Sequence, residues 1–396
     1  MTSKKTEQAG SWDIFCRVVD NFGDAGVTWR LARLLVQKQG LHVRLWIDDL
    51  AALQTLVPEL DLASAKQSLE AGRLEVLVWC DDLTSVDFEP LPQVVIEAFG
   101  CDLPQAYLQM MQTQLQRAKL QVKQAADAVK PTFWINLEYL SAESWVVGCH
   151  GLGSLQSNGL TRHFFFPGLV EGTGGLMLES DYEDRRQAFQ NIEIQQAWCR
   201  QWRLPWADSN TLKVSLFAYE NPALPSLIEQ WQQLNRPVLA YLPEGKLLAE
   251  FNRQSSLNLQ AGESWQQENV TLVVMPFLPQ SAYDELLWLC DVNFVRGEES
   301  FVRAQWAGKP FVWHIYPTED AAHWDKLEAF LEVYQPPESL KALMIQWNSG
   351  KLQTDVWHKV MSDRVALEWH ADAWRQHLKN LGELSTNLVR FVKKTL

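Results

Sequence analysis

Val295-Arg296-Gly297-Glu298-Glu299-Ser300-Phe301-Val302-Arg303-Ala304-Gln305-Trp306-Ala307-Gly308-Lys309-Pro310 lies between two apolar runs, Asp291 to Val295 and Phe311 to Ile315. Arg296-Gly297 closes the first run, and Ser300 is placed to cap. Phe301, Ala304 and Ala307 then repeat at helical spacing, and Gly308-Lys309-Pro310 is a stop. The order is strand, tight turn, helix, strand, which is half of a parallel α/β sheet. At such a turn the first helical N–H groups lack partners in the helix and sit at the carboxyl edge of the sheet, where a phosphate can accept from them. Arg296 adds a forked cation. Glu298 and Glu299 fit either of two roles: holding a metal ion that accompanies a nucleotide, or accepting from a ribose or sugar hydroxyl. A third reading makes Arg296 and the glutamates a solvated turn with a surface ion pair.

A chain of 396 residues is too long for one ordinary core, so two α/β domains of about 180 residues each are expected. Its 47% hydrophobic and 21% charged residues are ordinary globular composition, not disorder. No run has the roughly 18 uninterrupted apolar residues of a membrane helix, and Met1 to Gly10 has no apolar signal core; a soluble, cytoplasmic protein is expected. Six cysteines are scattered without a C-x-x-C pair, which suggests neither a disulfide framework nor a zinc site. A net charge of -13 argues against a general nucleic-acid binder and favours a cationic partner. Most of the 19 tryptophans, such as Trp79, Trp134 and Trp288, fall within apolar runs and read as core.

Trp12 to Val19 reads as a buried first strand that ends at Asp20-Asn21-Phe22-Gly23-Asp24-Ala25-Gly26, with an amphipathic helix over Val27 to Gln37. The Gly23-to-Gly26 turn has the context of a dinucleotide fingerprint, with Asp48 or Asp49 as a ribose acid, and this supports a nicotinamide-dependent oxidoreductase as an alternative. The full glycine pattern is missing, however, and Asp20 and Asp24 would repel a pyrophosphate there. Paired carboxylates at the end of a first strand suit a general base or a cation site better. An N-cap for Asp24 and an Asx turn for Asp20 are the structural alternatives.

Further strands are expected at 41–47, 74–79, 94–97 and 133–137, with a helix over 103–116. Asn136 to Ser141 either lines the same cleft or caps the next helix, and Gly148 to Gly175 reads as loop-rich; His150 and His163 are candidate functional histidines without a visible partner. Arg185 to Arg203 reads as a helix and Pro205 to Asn210 as a linker before a second α/β series, with strands at 213–219, 237–242 and 271–275. Phe217 and Tyr219 alternate toward one face, Phe277 is placed to stack on a base, and Gln280 offers a donor and an acceptor. The tail from Val365 is helical in composition.

With the Arg-Gly-Glu-Glu-Ser-Phe-x-x-Ala-x-x-x-Gly-Lys-Pro run and Val19-Asp20-Asn21-Phe22-Gly23-Asp24-Ala25-Gly26, the chain resembles, over nearly its whole length, the bacterial protein-arginine rhamnosyltransferases that modify elongation factor P. The resemblance implies an α/β fold of two doubly wound Rossmann-like domains facing a central cleft, the GT-B architecture. Residues 1–185 form the acceptor-side domain and 186–374 the nucleotide-sugar domain, with a helix of about 375–396 returning to the first. It also implies an inverting transfer of L-rhamnose from dTDP-β-L-rhamnose to one arginine of elongation factor P, with no cofactor and no metal, and no nucleic-acid or membrane partner. Carried over by position, Asp20 is the general base and Asp24 a supporting or orienting carboxylate. Arg296, Glu298, Glu299, Ser300 and Phe301 match the donor's diphosphate and ribose region; Asn21, Gly23, Phe217, Tyr219, Phe277, Gln280 and Tyr316 match its other contacts. A non-catalytic nucleotide-sugar-binding regulator is the second alternative; it would keep the second-domain site without needing Asp20.

Overall fold

The structure is a computed structural model that describes residues 10–19, 23–80, 88–120, 130–276, 278–318 and 321–396. The chain divides into two compact units, Met1–Glu179 with Leu381–Leu396, and Ser180–Asn380.

The first unit is built on β1 (Ser11–Cys16), β2 (His42–Ile47), β3 (Lys66–Leu69), β4 (Leu74–Val78), β5 (Val94–Ala98), β6 (Phe133–Leu137), β7 (Gly153–Leu155) and β8 (Thr161–Phe165). They form one sheet in the order β3-β4-β2-β1-β5-β6-β8-β7, parallel except at its two edges, where β3 and β7 run antiparallel. The inner strands read as apolar runs because both faces are covered. From β1, Ile14 and Cys16 pack against Leu31 and Leu35 of the helix Gly23–Gln37, whereas Phe15 points into a second core with Trp46, Trp79, Phe88 and Tyr107. The closing helix Leu384–Thr395 adds Leu384, Leu388 and Val392 to the first of these cores. Asp13, also on β1 and buried, is held by Arg44 through two bonds of 2.7 Å and by the Tyr107 hydroxyl at 2.9 Å, so it is structural.

The second unit carries β9 (Leu212–Leu216), β10 (Val238–Pro243), β11 (Ser264–Gln267), β12 (Val270–Met275), β13 (Val292–Arg296) and β14 (Phe311–His314), in the order β11-β12-β10-β9-β13-β14. Only β11 is antiparallel. Trp231, Trp306, Trp347 and Trp357 are fully buried, as apolar context predicts. In each sheet the strand order reverses about a central strand: β1 bonds to β2 and β5, and β9 to β10 and β13. The carboxyl ends of β1 and β9 are therefore switch points, where α/β sheets leave an opening for ligands.

The segment 148–175 is loop-rich as expected, although the short strands β7 and β8 pair within it, and Gly151 and Gly159 sit at turns with φ of +80°. Two expectations are corrected. Residues 185–203 are not one helix but two, Tyr182–Ala188 and Ile192–Gln201, because the Asn191 side chain accepts from Glu193 N at 2.8 Å and restarts the helix. The first strand stops at Cys16, since Val18 and Val19 give their N–H groups to carboxylates instead of to a neighbouring strand.

Candidate active site

In the second unit, β13 ends at Arg296 and turns at Gly297, whose φ of +61° lies in the left-handed region. The helix Glu299–Ala307 follows at once. Ser300 is not its cap: the helix starts one residue earlier, so the Ser300 hydroxyl lies in the first turn and reaches back to the strand end. It accepts from Arg296 N at 3.0 Å and donates to the Arg296 carbonyl oxygen. The Glu298 side chain at the N-cap makes no capping hydrogen bond to this helix, whose start faces the carboxyl edge of the sheet, where such N–H groups can meet an anion.

The Arg296 guanidinium lies over two aromatic faces, with its central carbon 4.7 Å from the Phe217 ring centre and 4.8 Å from that of Tyr219. Both rings follow β9, which places the switch point beside the cation. Tyr219 meets Tyr316 edge-on at 5.4 Å, and Tyr316 is 54% exposed. His314, at the end of β14, closes the back of the group against Tyr219; burial and then Arg296 pull its pKa down to about 4. It is therefore neutral near pH 7, and Arg296 carries the positive charge. A Cβ at Gly297 would stand 3.6 Å from the Tyr219 hydroxyl.

Glu298 and Glu299 stand apart here. Glu298 occupies the N-cap position and is half-buried, whereas Glu299 is tied one turn down its helix to Arg303 Nε at 2.7 Å. Gln280, half-buried, opens the helix Gln280–Leu289. The Phe301 ring is 2% exposed, stacks on Trp313 at 4.1 Å and packs on Phe330, so its side chain serves the core. Phe277 lies outside the described residues.

In the first unit, Asp24 follows Gly23 in the opening turn of its helix and is 2% exposed. Its carboxylate accepts from Val19 N at 2.9 Å and from the Tyr139 hydroxyl at 3.0 Å. Tyr139 in turn stacks on Phe99, with ring centres 4.2 Å apart. Asp48 accepts from Val18 N at 2.8 Å, and Asp49 caps the helix Leu50–Leu56. Asp24 and Asp48 thus pin the exit of β1, and Asp49 serves as a helix cap. Asp20 and Asn21 lie outside the described residues.

Sequence reasoning missed the loop after β5. Phe99, Gly100 and Asp102 all take positive φ, +57°, +63° and +56°, a conformation costly at Phe99 and Asp102 that two anchors hold. Glu97 accepts from Asp102 N at 3.1 Å and from Trp134 Nε1 at 2.9 Å; Asn136 accepts from Gly100 N at 3.1 Å. Burial raises the Glu97 pKa, and Arg162 opposes the rise. The only sequence signal was an acid inside the apolar run of β5. The loop lines a cavity of about 460 Å³ together with Arg17, Val19 and Tyr139. His150 accepts from Phe166 N at 3.1 Å and His163 stacks on Phe133; burial lowers both pKa values, and both histidines belong to packing. Among the described residues no group of three or more His, Cys, Asp or Glu side chains converges on a point.

Comparison with known proteins gives these two sites a context. A family model described as "Elongation-Factor P (EF-P) rhamnosyltransferase EarP" matches residues 12–393. The protein-arginine rhamnosyltransferase of Pseudomonas aeruginosa is 41% identical over 96% of this chain and 98% of that protein; that of Shewanella oneidensis is 38% identical over 98% and 99%. A solved structure described as the structural basis for EarP-mediated arginine glycosylation of translation elongation factor EF-P is 30% identical, with a TM-score of 0.64, over 98% of this chain and 100% of that one. The kitacinnamycin glycotransferase, 13% identical with a TM-score of 0.50 over 97% of this chain and 99% of that one, shares the fold. The chain belongs to the EarP family, the elongation-factor P (EF-P) rhamnosyltransferases, and is a glycosyltransferase with protein-arginine rhamnosyltransferase activity.

Proposed function

We propose that the enzyme transfers L-rhamnose from dTDP-β-L-rhamnose, with inversion, to a guanidinium nitrogen of one arginine of elongation factor P, and that it needs no metal. The observation that carries the donor half is Arg296, a guanidinium stacked on Phe217 and Tyr219 beside an uncapped helix start, with no ion pair to a carboxylate of the described residues. A cation beside a helix start suits a leaving diphosphate. The neighbouring Tyr219 and Tyr316 rings suit the nucleoside, with Gln280 and Phe277 as further contacts.

A guanidinium has a pKa above about 12, so a lone carboxylate does not deprotonate it in the ground state. In this reading Asp20 binds the acceptor cation and takes its proton only as the C1–N bond forms and the C1–O bond to dTDP breaks. Asp24, both of whose oxygens accept bonds from Val19 and Tyr139, fits an orienting carboxylate better than a base. The acceptor named by the related proteins is a translation factor, which suits a cytoplasmic enzyme. No described helix is long and apolar enough to cross a membrane.

The test is NMR of the product formed with dTDP-β-L-rhamnose, run with and without EDTA and against a UDP-sugar. An α-linked rhamnose on arginine, formed equally in EDTA and not from the UDP-sugar, is expected. A β-linked product would refute inversion, and loss of turnover in EDTA would refute the metal-free reading.

A further inference from the structure

The start of the helix Glu299–Ala307 poses an electrostatic problem. A diphosphate seated on its N–H groups meets Glu298 and Glu299, and carboxylates in a first helical turn already complement the positive end of the helix. Unneutralised, they would repel the ligand. Arg303, one turn further on and 2% exposed, answers part of this. Its Nε donates to Glu299 at 2.7 Å and its Nη1 to Asp284 at 2.8 Å, so its two arms grip carboxylates on two different helices. The other oxygen of Asp284 faces Arg185 Nη1 at 3.6 Å, and the charge of Arg303 is therefore not consumed by Asp284 alone. The planar fork, anchored on Asp284, fixes where Glu299 stands.

We infer that Arg303 is a positioning residue for donor binding: it neutralises Glu299 and holds it so that a nucleoside diphosphate can occupy the helix start beside Arg296. The inference rests on the reading of this turn as the diphosphate site. It also separates the two glutamates, giving Glu299 a place fixed by Arg303 and Glu298 the N-cap position.

The test is calorimetric titration of the full chain with dTDP for wild type, Glu299→Gln, Arg303→Met, Arg303→Met with Glu299→Gln, and Arg303→Lys, with Tm measured for each. Arg303→Met is expected to weaken dTDP binding about tenfold or more by removing the cation that donates to Glu299 at 2.7 Å. Glu299→Gln in the Arg303→Met background is expected to recover binding, and Arg303→Lys, which keeps the charge but loses the fork that spans Glu299 and Asp284, should bind between wild type and Arg303→Met. A merely structural arginine would lower Tm without that recovery of binding. Should Arg303→Met fail to fold because Asp284 is stranded, Arg303→Gln with Asp284→Asn, which removes both buried charges, takes its place. Wild-type affinity in the Arg303 variant, or no gain from Glu299→Gln in its background, overturns the inference. No dTDP binding by wild type overturns the donor reading and the inference with it.

Discussion

Replacing Arg296 with alanine isolates the donor half of the account. Two unit charges 4 Å apart interact by about 4 kcal/mol at an effective dielectric of about 20. Arg296 is half-buried, so solvent screening reduces this to about 2–3 kcal/mol, a loss of roughly 30- to 150-fold in affinity for dTDP. Arg296→Lys keeps the charge but loses the fork and the flat stacking on Phe217 and Tyr219, which is about 1 kcal/mol, or roughly fivefold. The fold should tolerate both, because no ion pair to a described carboxylate is broken and the position is not core; Tm shifts below about 3 °C are expected. Calorimetric titration with dTDP and the donor KM give the readout. Arg296→Ala binding dTDP within threefold of wild type, at unchanged Tm, would refute the assignment of this guanidinium to the diphosphate.

Tyr139→Phe keeps the stack on Phe99 but removes a hydroxyl that donates to the buried Asp24; a hydrogen bond to a charged group is worth about 1.5–3 kcal/mol of stability, so Tm should fall by roughly 3–10 °C in calorimetry, and kcat should fall in initial rates because Asp24 loses a group that orients it. Gly297→Ala forces a side chain into a φ of +61° and toward the Tyr219 hydroxyl; it should cost about 1–2 kcal/mol of stability in urea titration and weaken dTDP binding. His314 has a folded pKa near 4 against 6.5 for the free side chain, so the unfolded chain binds the extra proton between those values. Its contribution to stability is whole above pH 6.5 and is lost as pH falls toward 4, by about 3 kcal/mol at most. Urea titrations from pH 4 to 7 should show this slope in wild type and a flatter one in His314→Gln.

The doubly wound parallel fold was legible because buried central strands announce themselves as short apolar runs, and the Arg296-Gly297 turn marks where a strand becomes a helix. The antiparallel edges were not legible. β3 is Lys-Gln-Ser-Leu and β11 Ser-Trp-Gln-Gln; neither alternates clearly, because an edge strand is fixed by its partner's hydrogen bonds more than by burial. The switch-point residues Phe217, Tyr219 and Arg296 were found from strand ends alone and do come together. Their arrangement, a guanidinium held over two rings, depends on strand order, which the sequence does not show. Ser300 was read as a cap because its residue type suits one, but the helix begins one residue earlier. Phe301 was read as a contact from its place in the motif; helical phase turns its ring into the core. The Glu97–Asn136 anchoring of the loop after β5 joins residues from neighbouring strands, and no local pattern carries such a pairing.

Intact-mass spectrometry of elongation factor P, after incubation with dTDP-β-L-rhamnose and either wild type or Asp20→Ala, tests the central claim most directly. The account predicts one added deoxyhexose, mapped to a single arginine, with wild type and none with Asp20→Ala, while both proteins bind dTDP. An unmodified factor with wild type, or equal modification by Asp20→Ala, would contradict it.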